Sequence, residues 1–247
     1  MPELLCGCRV CTSRDPHNRR TRCSAHLEIE KDEVSTHLQI DTGPDFREQV
    51  LRNGIGRIDA ILYSHAHFDH TVGLDDIRRF NMTQKGAIPV YGRDSVISEL
   101  VQKFSHCFNP VQLGGGVPRI TPVPVKAPFQ VGNVTVEPID VVHGKIPIFG
   151  YRIGNFAYVT DASEISTESL EKMKGLDLLV LNALRFRKHP THFNLEQALE
   201  VVERVNPRRA LLVHITHDLE HKTVNQLLPE HVRLGYDGQV VELDHAG

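Results

Sequence analysis

The segment from His65 to His70 carries the residue types and the spacing of a metal site. Four candidate ligands, His65, His67, Asp69 and His70, follow directly after an apolar segment that ends at Ser64. Imidazole and carboxylate groups are common ligands of divalent metals. A solvent-exposed, His-rich turn is the alternative, but chance matches to four fixed positions are expected only roughly 0.003 times per chain. The sequence therefore predicts that this turn binds metal.

The spacing within the turn indicates two metal ions rather than one. Alternate residues at a strand end project to the same side, so His65 and His67 can bind one ion together. The chain then turns, which allows Asp69 and His70 to reach a second ion. Further ligands are expected at later strand ends, where three metal-capable residues stand: His143, Asp161 and His214.

The three later residues gain their meaning from the first four. Taken singly, His143 is an ordinary surface histidine, Asp161 a turn former and His214 a core histidine. Taken with the His-rich turn, they complete a set of seven candidate ligands. A carboxylate such as that of Asp161 can bridge two metals, which usually lie about 3.5–4 Å apart.

A second group of candidate ligands lies near the start of the chain. The chain has five cysteines, an odd number: Cys6, Cys8, Cys11, Cys23 and Cys107. Three of them crowd into six residues, which favours a metal site in a reducing compartment over a disulfide framework. A tetrahedral zinc takes four ligands, and either Cys23 or His217 can supply the fourth. Free cysteines near a mobile end of the chain are the alternative.

These candidate ligands need strands to position them, and the hydrophobic pattern predicts strands in two similar halves. The predicted strands are residues 25–30, 36–41, 58–64, 88–91, 134–140, 149–153, 156–160, 176–181, 210–215 and 239–243. The predicted helices are residues 44–52, 95–104 capped by Asp94, 167–174, and 195–205 capped by Asn194. Residues 109–128, rich in Gly and Pro, are predicted to form a loop or an edge region. The pattern indicates one α/β domain over residues 1–247, with a Cys-rich segment at 1–24.

The composition excludes several classes of protein. The 247 residues are 40% hydrophobic and 24% charged, which is ordinary for a globular protein. With a net charge of −3 and no long Lys/Arg run, neither a nucleic acid nor a membrane is an expected partner. The first residues lack an apolar signal-peptide core, and no apolar run reaches the roughly 18 residues of a transmembrane helix. The protein is therefore expected to be cytoplasmic. A small anionic substrate stays compatible with the charge, because metals supply positive charge locally.

The order of the candidate ligands resembles that of the metallo-β-lactamase superfamily over nearly the whole chain. The resemblance implies an αββα sandwich with a two-metal site at one edge. It assigns the first metal to His65, His67 and His143, the second to Asp69, His70 and His214, and the bridging position to Asp161. It also implies that Asp41, at a strand end, orients a ligand histidine. A simple turn before Gly43 is the alternative for Asp41.

Within the superfamily, the cysteine segment and the Arg-rich sequence before Cys23 resemble the PhnP-like phosphodiesterases, accessory enzymes of the carbon–phosphorus lyase pathway. Residues 89–92 and 234–238 match that group as well. The resemblance implies a homodimer and a structural zinc held by Cys6, Cys8, Cys11 and His217. Members of the group begin with a strand and a Gly/Thr-rich turn before the cysteines, whereas five residues precede Cys6 here. Either the sandwich lacks its first strand or the start of the chain lies upstream.

The activity that this resemblance implies is hydrolysis of a small or cyclic phosphodiester, of the 5-phosphoribosyl 1,2-cyclic phosphate type. Two divalent metals, zinc or manganese, lower the pKa of a shared water and give hydroxide near neutral pH. The leaving oxygen needs an acid. The resemblance assigns that role to His192, with His189 as a nearby competitor, and an ordinary loop histidine is the alternative for both. Asp69 is expected to be a catalytic residue as well as a ligand.

Several other functions are compatible with parts of the pattern. A thioester hydrolase shares the metal pair but gives no reason for the cysteines. A tRNA 3′-processing nuclease normally carries a long basic arm, which this sequence lacks. A β-lactamase is secreted and usually lacks a ligand at the position of Asp69. A non-enzymatic metal-binding scaffold is the alternative of a different class, and the complete ligand set argues against it.

Overall fold

The computed structural model describes residues 1–108 and 116–244 of the chain. The chain divides into two compact units. One unit is Arg22–Val136, and the other combines Met1–Thr21 with Glu137–Gly247. Within the described residues, no helix is both long enough and apolar enough to cross a membrane.

The unit Arg22–Val136 is built on a five-stranded sheet whose strands follow chain order. The strands are β1 (Ala25–Lys31), β2 (Val34–Ile40), β3 (Ala60–Leu62), β4 (Ile88–Gly92) and β5 (Ile120–Pro124). Strands β1 and β2 form an antiparallel hairpin, and the later pairs are parallel. The helices are α1 (Phe46–Asn53), α2 (Phe68–Thr71), α3 (Arg78–Gln84), α4 (Asp94–Lys103) and α5 (Ser105–Phe108). A short strand β6 (Phe129–Val131) pairs with the start of β7 (Val134–His143).

Buried apolar side chains hold this sheet and its helices together. Strand β3 is fully buried, as expected for a central parallel strand that is covered on both faces. Helix α4 buries Val96, Ile97 and Leu100, which lie on one face of the helix. The helix begins at Asp94, and Arg93 occupies the cap position without a side-chain hydrogen bond. The prediction of Asp94 as the N-cap is therefore wrong by one residue.

Part of the predicted loop or edge region at residues 109–128 is a strand. Strand β5 pairs in parallel with β4 and lies at the end of the strand order. Two of its residues, Pro122 and Pro124, lack a backbone donor, which an edge strand tolerates because one of its sides is not paired. Residues 109–115 of the predicted loop lie outside the described part of the chain.

The second unit contains a sheet with the strand order β10-β7-β8-β9-β11-β12-β13. The strands after β7 are β8 (Ile146–Ile153), β9 (Phe156–Val159), β10 (Glu164–Ile165), β11 (Leu178–Asn182), β12 (Arg209–Val213) and β13 (Val232–Leu234). Strands β9, β11, β12 and β13 are parallel, so their carboxyl ends meet at one edge. The helices are α6 (Thr167–Glu171), α7 (Leu195–Val205) and α8 (His221–Asn225).

Helix α7 begins and ends where the sequence predicts. The Asn194 side chain accepts a hydrogen bond from the Gln197 backbone, and the Gln197 side chain accepts one from the Asn194 backbone. This reciprocal pair confirms Asn194 as the N-cap. The helix buries one apolar face in the core of its unit: Leu195, Ala198, Val201, Val202 and Val205.

The two ends of the chain differ from the regular elements. Residues 1–24 contain a 3-10 turn at Pro16–Asn18 and no strand. The strand predicted at residues 239–243 is wrong, because that segment is irregular. Val240, within this segment, is 84% exposed.

Candidate metal centre

The buried strand β3 positions the His-rich turn. The chain leaves β3 and passes through Ser64, which is buried, to His65, which is 2% exposed. Helix α2 then carries Asp69 and His70, and His70 is 1% exposed. The ring of His67 and the carboxylate of Asp69 reach the surface. The turn therefore combines two rigidly packed histidines with two ligands that face solvent.

The donor atoms of the turn lie close together. His65 Nε2 is 3.0 Å from His67 Nδ1. The ring centroids of His65 and His70 are 4.2 Å apart, and a carboxylate oxygen of Asp69 lies 3.6 Å from His70 Nε2. Zinc binds imidazole nitrogen at about 2.0–2.1 Å, so two ligands of one ion lie about 3–4 Å apart. The spacing in this turn fits ligands that share ions.

The Asp41 side chain holds the His-rich turn in place through hydrogen bonds. Its buried carboxylate accepts hydrogen bonds from the Ser64 N–H at 2.9 Å and from the Ser64 hydroxyl at 2.7 Å. The same carboxylate lies 2.7 Å from His70 Nδ1. A carboxylate accepts but does not donate, so Nδ1 of His70 carries the proton and Nε2 stays available for a metal. The contact that the prediction for Asp41 requires is present.

Two glycines allow the backbone of this region to pack tightly. A Cβ atom on Gly43 would lie 2.2 Å from the Asp69 carbonyl oxygen, and one on Gly73 would lie 2.4 Å from the Gly43 carbonyl oxygen. The Thr42 N–H donates to the His70 carbonyl at 2.8 Å, and the Gly73 N–H donates to the Thr42 carbonyl at 2.8 Å. These hydrogen bonds fix the segment after Asp41 to the His-rich turn.

The second unit gathers its own histidines around Asp161. Asp161 is 2% exposed and follows β9, and its carboxylate lies 3.1 Å from His214 Nε2 and 3.4 Å from His192 Nε2. The His192 ring centroid is 4.7 Å from that of His143 and 4.9 Å from that of His214. Strand ends supply these residues, since His143 ends β7 and His214 follows β12. Three predicted ligands and the predicted acid thus form one cluster.

Two residues that the sequence did not single out position this cluster. The Asn182 side chain, fully buried at the end of β11, accepts from the Ala162 N–H at 2.7 Å and donates to the Ala162 carbonyl at 2.9 Å. These two hydrogen bonds fix the backbone next to Asp161. The Thr191 carbonyl accepts from His143 Nδ1 at 2.7 Å, which leaves His143 Nε2 free of that proton and suited to a metal.

His189 lies beside the predicted acid. Its Nδ1 is 3.2 Å from Nδ1 of His192, and the Thr191 hydroxyl is within 3.2 Å of both nitrogens. Burial, and then the neighbouring His192, lower the pKa of His189. His189 is therefore neutral at neutral pH and can accept a hydrogen bond from its neighbours.

The cysteines near the start of the chain form a four-residue cluster with His217. The distances from His217 Nδ1 to the Sγ atoms of Cys6, Cys8 and Cys11 are 3.3, 3.7 and 3.2 Å. The four donor atoms all lie within 4.8 Å of one another. Three thiolates and one imidazole around a point are the ligand chemistry of a structural zinc. His217, and not Cys23, completes this cluster.

The pKa values of two thiols in this cluster are shifted in opposite directions. The hydrogen bond from the Cys11 N–H lowers the pKa of Cys8 to about 7, whereas burial raises the pKa of Cys11 to about 11. Zinc binds thiolates, so it would have to displace the proton of Cys11. Cys23 lies elsewhere, with its Sγ within 4.8 Å of a ring nitrogen of His70.

The chemistry of the donors fits metals in both units. The His-rich turn and the Asp161 cluster offer imidazole and carboxylate donors, which suit zinc, manganese or iron. The seven predicted active-site ligands are divided between the units, four in Arg22–Val136 and three in the other. Their joint binding of a metal pair stays a prediction.

Comparison with known proteins identifies the family. Residues 36–215 match a family described as a beta-lactamase superfamily domain. The chain therefore belongs to the beta-lactamase superfamily, and it has the metallo-β-lactamase fold. The predicted α/β fold, an αββα sandwich of two sheets and helices, is confirmed.

Individual relatives refine this assignment. A diphosphatase from the PhnP family has a TM-score of 0.89 and 37% identity, covering 99% of this chain and 93% of that chain, which confirms the resemblance to PhnP-like proteins. Zn²⁺-bound PqqB from Methylobacterium extorquens has a TM-score of 0.75 at 15% identity over 98% and 95% of the two chains, and shows the shared fold. An octanoyltransferase of Porphyromonas gingivalis is 38% identical over 251 residues. That match covers 100% of this chain and 50% of the relative, so this chain spans about half the length of the curated relative.

Proposed function

We propose that this protein is a dinuclear metal-dependent phosphodiesterase that hydrolyses a small or cyclic phosphodiester, of the 5-phosphoribosyl 1,2-cyclic phosphate type. The observation that carries the proposal is the place of His192. Its ring centroid lies 4.7 Å from that of His143 and 4.9 Å from that of His214, and its Nε2 is 3.4 Å from the Asp161 carboxylate. A histidine beside a ligand set can deliver a proton to a group that the metals bind.

The proposed metal pair uses the seven predicted ligands together. When bound, the two ions lower the pKa of a water and neutralise the phosphoryl oxygens. The residues of the chain prepare the ligands for this task. Asp41 and the Thr191 carbonyl each accept a hydrogen bond from the Nδ1–H group of a predicted ligand histidine, so that the lone pair is on Nε2. Asp69 supplies a carboxylate that solvent reaches.

His192 is the proposed acid for the leaving oxygen. Its Nδ1 contacts the Thr191 hydroxyl at 2.9 Å, and its Nε2 faces Asp161. The Thr191 hydroxyl can therefore hold Nδ1 while Nε2 exchanges a proton with the substrate. The need for this proton rises with the basicity of the leaving oxygen. An alkoxide of a ring-opened cyclic phosphodiester needs it most.

Hydrolysis of a diphosphate is the second candidate, and the similarity to a PhnP-family diphosphatase favours it. Both reactions begin with attack of an activated water on phosphorus, so one metal site suits both. The leaving groups differ, because phosphate departs with little help from an acid whereas an alkoxide does not. The dependence of turnover on His192 therefore distinguishes the two candidates.

The deciding experiment compares wild type with His192→Ala on three substrates. The holoenzyme, loaded with Zn²⁺ or Mn²⁺, is assayed with a five-membered cyclic alkyl phosphodiester, bis(p-nitrophenyl) phosphate and inorganic diphosphate. We expect wild type to cleave the cyclic phosphodiester fastest, and His192→Ala to lose roughly 10²–10⁴-fold in kcat on it at unchanged metal content. The loss on bis(p-nitrophenyl) phosphate should be much smaller. His189→Ala is the matched control and should keep most of the activity.

Two results would overturn the proposal. Fast diphosphate cleavage without cleavage of the diesters would establish the second candidate. Turnover of an S-octanoyl thioester alone, by a fully metallated enzyme, would assign acyl chemistry instead. The homodimer that the family resemblance implies is also part of the proposal, and light scattering of the purified chain measures it.

A further inference from the structure

The β1–β2 hairpin carries a group of metal-capable side chains that the proposed reaction does not use. His26 and Glu28 occupy alternate positions of β1, and His37 lies opposite Glu28 on β2. This register places all three side chains on the same face of the hairpin. One donor atom from each lies within 4.8 Å of the other two. These three residues are called the hairpin cluster below.

The donor atoms of the hairpin cluster converge on one point. His26 Nε2 lies 3.4 Å from His37 Nδ1. One carboxylate oxygen of Glu28 lies 3.9 Å from His26 Nε2 and 4.0 Å from His37 Nδ1. The His26 and His37 side chains are 10% and 17% exposed, whereas Glu28 is 65% exposed. An ion can therefore enter past Glu28 and meet two packed imidazoles.

Gln39 fixes the protonation of His26. The amide nitrogen of Gln39 donates to the Ser24 hydroxyl at 2.6 Å and to the Asp41 carbonyl at 2.9 Å, so the amide oxygen is the atom that faces His26. This oxygen lies 3.3 Å from His26 Nδ1 and can only accept. Nδ1 therefore carries the proton of the neutral ring, and the lone pair of Nε2 points at His37. Burial, the main cause, lowers the pKa of His26 and keeps the ring neutral.

Ser35 can play the corresponding part for His37. Its hydroxyl lies 3.1 Å from His37 Nε2 and can accept a hydrogen bond from the N–H group at that position. His37 Nδ1 then also presents a lone pair, and this nitrogen lies 3.4 Å from His26 Nε2. Two facing lone pairs repel each other, and a cation between them removes the repulsion. Outer hydrogen bonds of this kind orient metal-binding histidines in proteins.

We propose that the hairpin cluster binds one divalent cation of the zinc class through His26 Nε2, His37 Nδ1 and the Glu28 carboxylate. Two imidazoles and one carboxylate form a set that zinc accepts, with a fourth position for water. This site is additional to the cysteine cluster and to the ligands of the His-rich turn, and shares no residue with them. The competing structure is a proton held between the two rings, in which His37 Nδ1 donates to His26 Nε2.

Zinc uptake by the holoenzyme tests this site. The protein is first loaded with zinc and desalted through a weak chelator, and ZnCl₂ is then titrated while bound zinc is counted by mass spectrometry and heat is recorded. We expect wild type to take up one further equivalent and to melt at a higher temperature with it. His37→Gln should lose that equivalent. Glu28→Gln, an exposed change that leaves the fold intact, should weaken its binding by about tenfold or more.

Glu30→Gln is the matched control, because Glu30 is the next residue of β1 on the same face and is exposed. It should bind the further equivalent as wild type does. Absence of the further equivalent in wild type, or equal uptake by wild type, His37→Gln and Glu28→Gln, would overturn the proposal in favour of a shared proton. If His37→Gln does not fold, Glu28→Gln against Glu30→Gln decides the question. None of these outcomes depends on the reaction at the His-rich turn.

Discussion

At the scale of single residues, Asp41 determines how His70 is protonated. The pair is buried, with side-chain exposures of 0% and 1%, and its short contact leaves one tautomer of the histidine. Asp41 also accepts two hydrogen bonds from Ser64, the residue before the first predicted ligand. One carboxylate therefore fixes both ends of the His-rich turn. The backbone of Asp41 has a φ of 56°, a left-handed value that Asp tolerates better than most residues.

We predict that Asp41→Asn keeps the shape of this site but weakens its metal. The neutral amide cannot stabilise positive charge on His70 as the carboxylate does, and its NH₂ group competes for the same contacts. Zinc affinity should fall by roughly 10–100-fold, as measured by competition with a fluorescent chelator. Asp45→Asn serves as control, because Asp45 contacts Arg22 and not the turn. Equal zinc affinity of Asp41→Asn and wild type would contradict the orienting role.

The sequence allowed some of these residues to be found and hid others. The predicted ligands His65, His67, Asp69 and His70 form a local motif, so their spacing alone indicated a site. Asn182 acts through Ala162, which lies 20 residues earlier in the chain, and no local pattern records such a contact. Its function became visible only when β9 and β11 were seen to be parallel neighbours.

At the scale of elements, the turn after β2 packs against α2 because Gly43 has no side chain. We predict that Gly43→Ala displaces the Asp69 backbone, since the new Cβ atom would lie 2.2 Å from the Asp69 carbonyl oxygen. Metal content and melting temperature should both fall, with a loss of roughly 1–3 kcal/mol in the free energy of unfolding. Gly56→Ala is the matched control, because its Cβ would meet nothing within 4 Å. If the two variants lose the same stability and metal, steric contact at Gly43 is not the reason for the glycine.

Helix α8 offers a pH-dependent test of an N-cap. Glu220 accepts from Thr223 N–H at 2.7 Å and from Asn18 at 3.0 Å, and these hydrogen bonds, that of Asn18 first, lower the pKa of Glu220 from 4.5 to about 2. A lowered pKa means that the folded state favours the charged form. The stabilisation is therefore complete above pH 4.5 and is lost as the pH falls towards 2.

We predict that Glu220→Gln lowers the free energy of unfolding by about 1 kcal/mol at pH 7. The difference from wild type should shrink between pH 4.5 and pH 3.5, because wild type loses the charge effect there. Urea unfolding at pH 7, 4.5 and 3.5 measures it, with the exposed Glu230→Gln as control. A difference that stays constant over this range would show that the charge of Glu220 does not stabilise the fold.

The elements themselves followed from the sequence where their pattern was local and strong. Helix α7 was predicted with the bounds that the structure gives, since its cap and its apolar face are both local signals. Strand β5 was not separated from its Pro-rich surroundings, because its pairing with β4 depends on residues about 30 positions away and not on its own composition. The strand prediction for residues 239–243 was wrong for the converse reason. The apolar pattern there is local, but the segment pairs with no strand of the described residues and is irregular.

At the scale of the whole molecule, the start of the chain belongs to the unit formed by its second half. Arg20 Nε donates to the Gly235 carbonyl at 2.9 Å, and the Thr21 N–H donates to Asp237 at 3.1 Å. The sequence indicated a cysteine cluster and offered two residues for its fourth position. The cysteine spacing by itself did not decide between Cys23 and His217, whereas the family resemblance implied His217. The contacts that place His217 there join residues about 200 positions apart, which composition and periodicity do not contain.

We therefore predict that the cysteine cluster stabilises the fold by cross-linking the start of the chain to its second half. Cys11 and His217 are 206 residues apart in sequence, and a bond that closes so long a loop removes conformational entropy from the unfolded chain. The chain-entropy treatment of cross-links gives about 5 kcal/mol as the largest stabilisation for a loop of this length. Cys8→Ser should thus release one zinc and lower the melting temperature by roughly 10 °C, while the active-site metals and kcat change little. Zinc counting and calorimetry measure both effects, with Cys107→Ser, a buried thiol outside the cluster, as the matched control. Unchanged zinc content and unchanged melting in Cys8→Ser would show that the cysteine cluster does not hold the start of the chain to its second half.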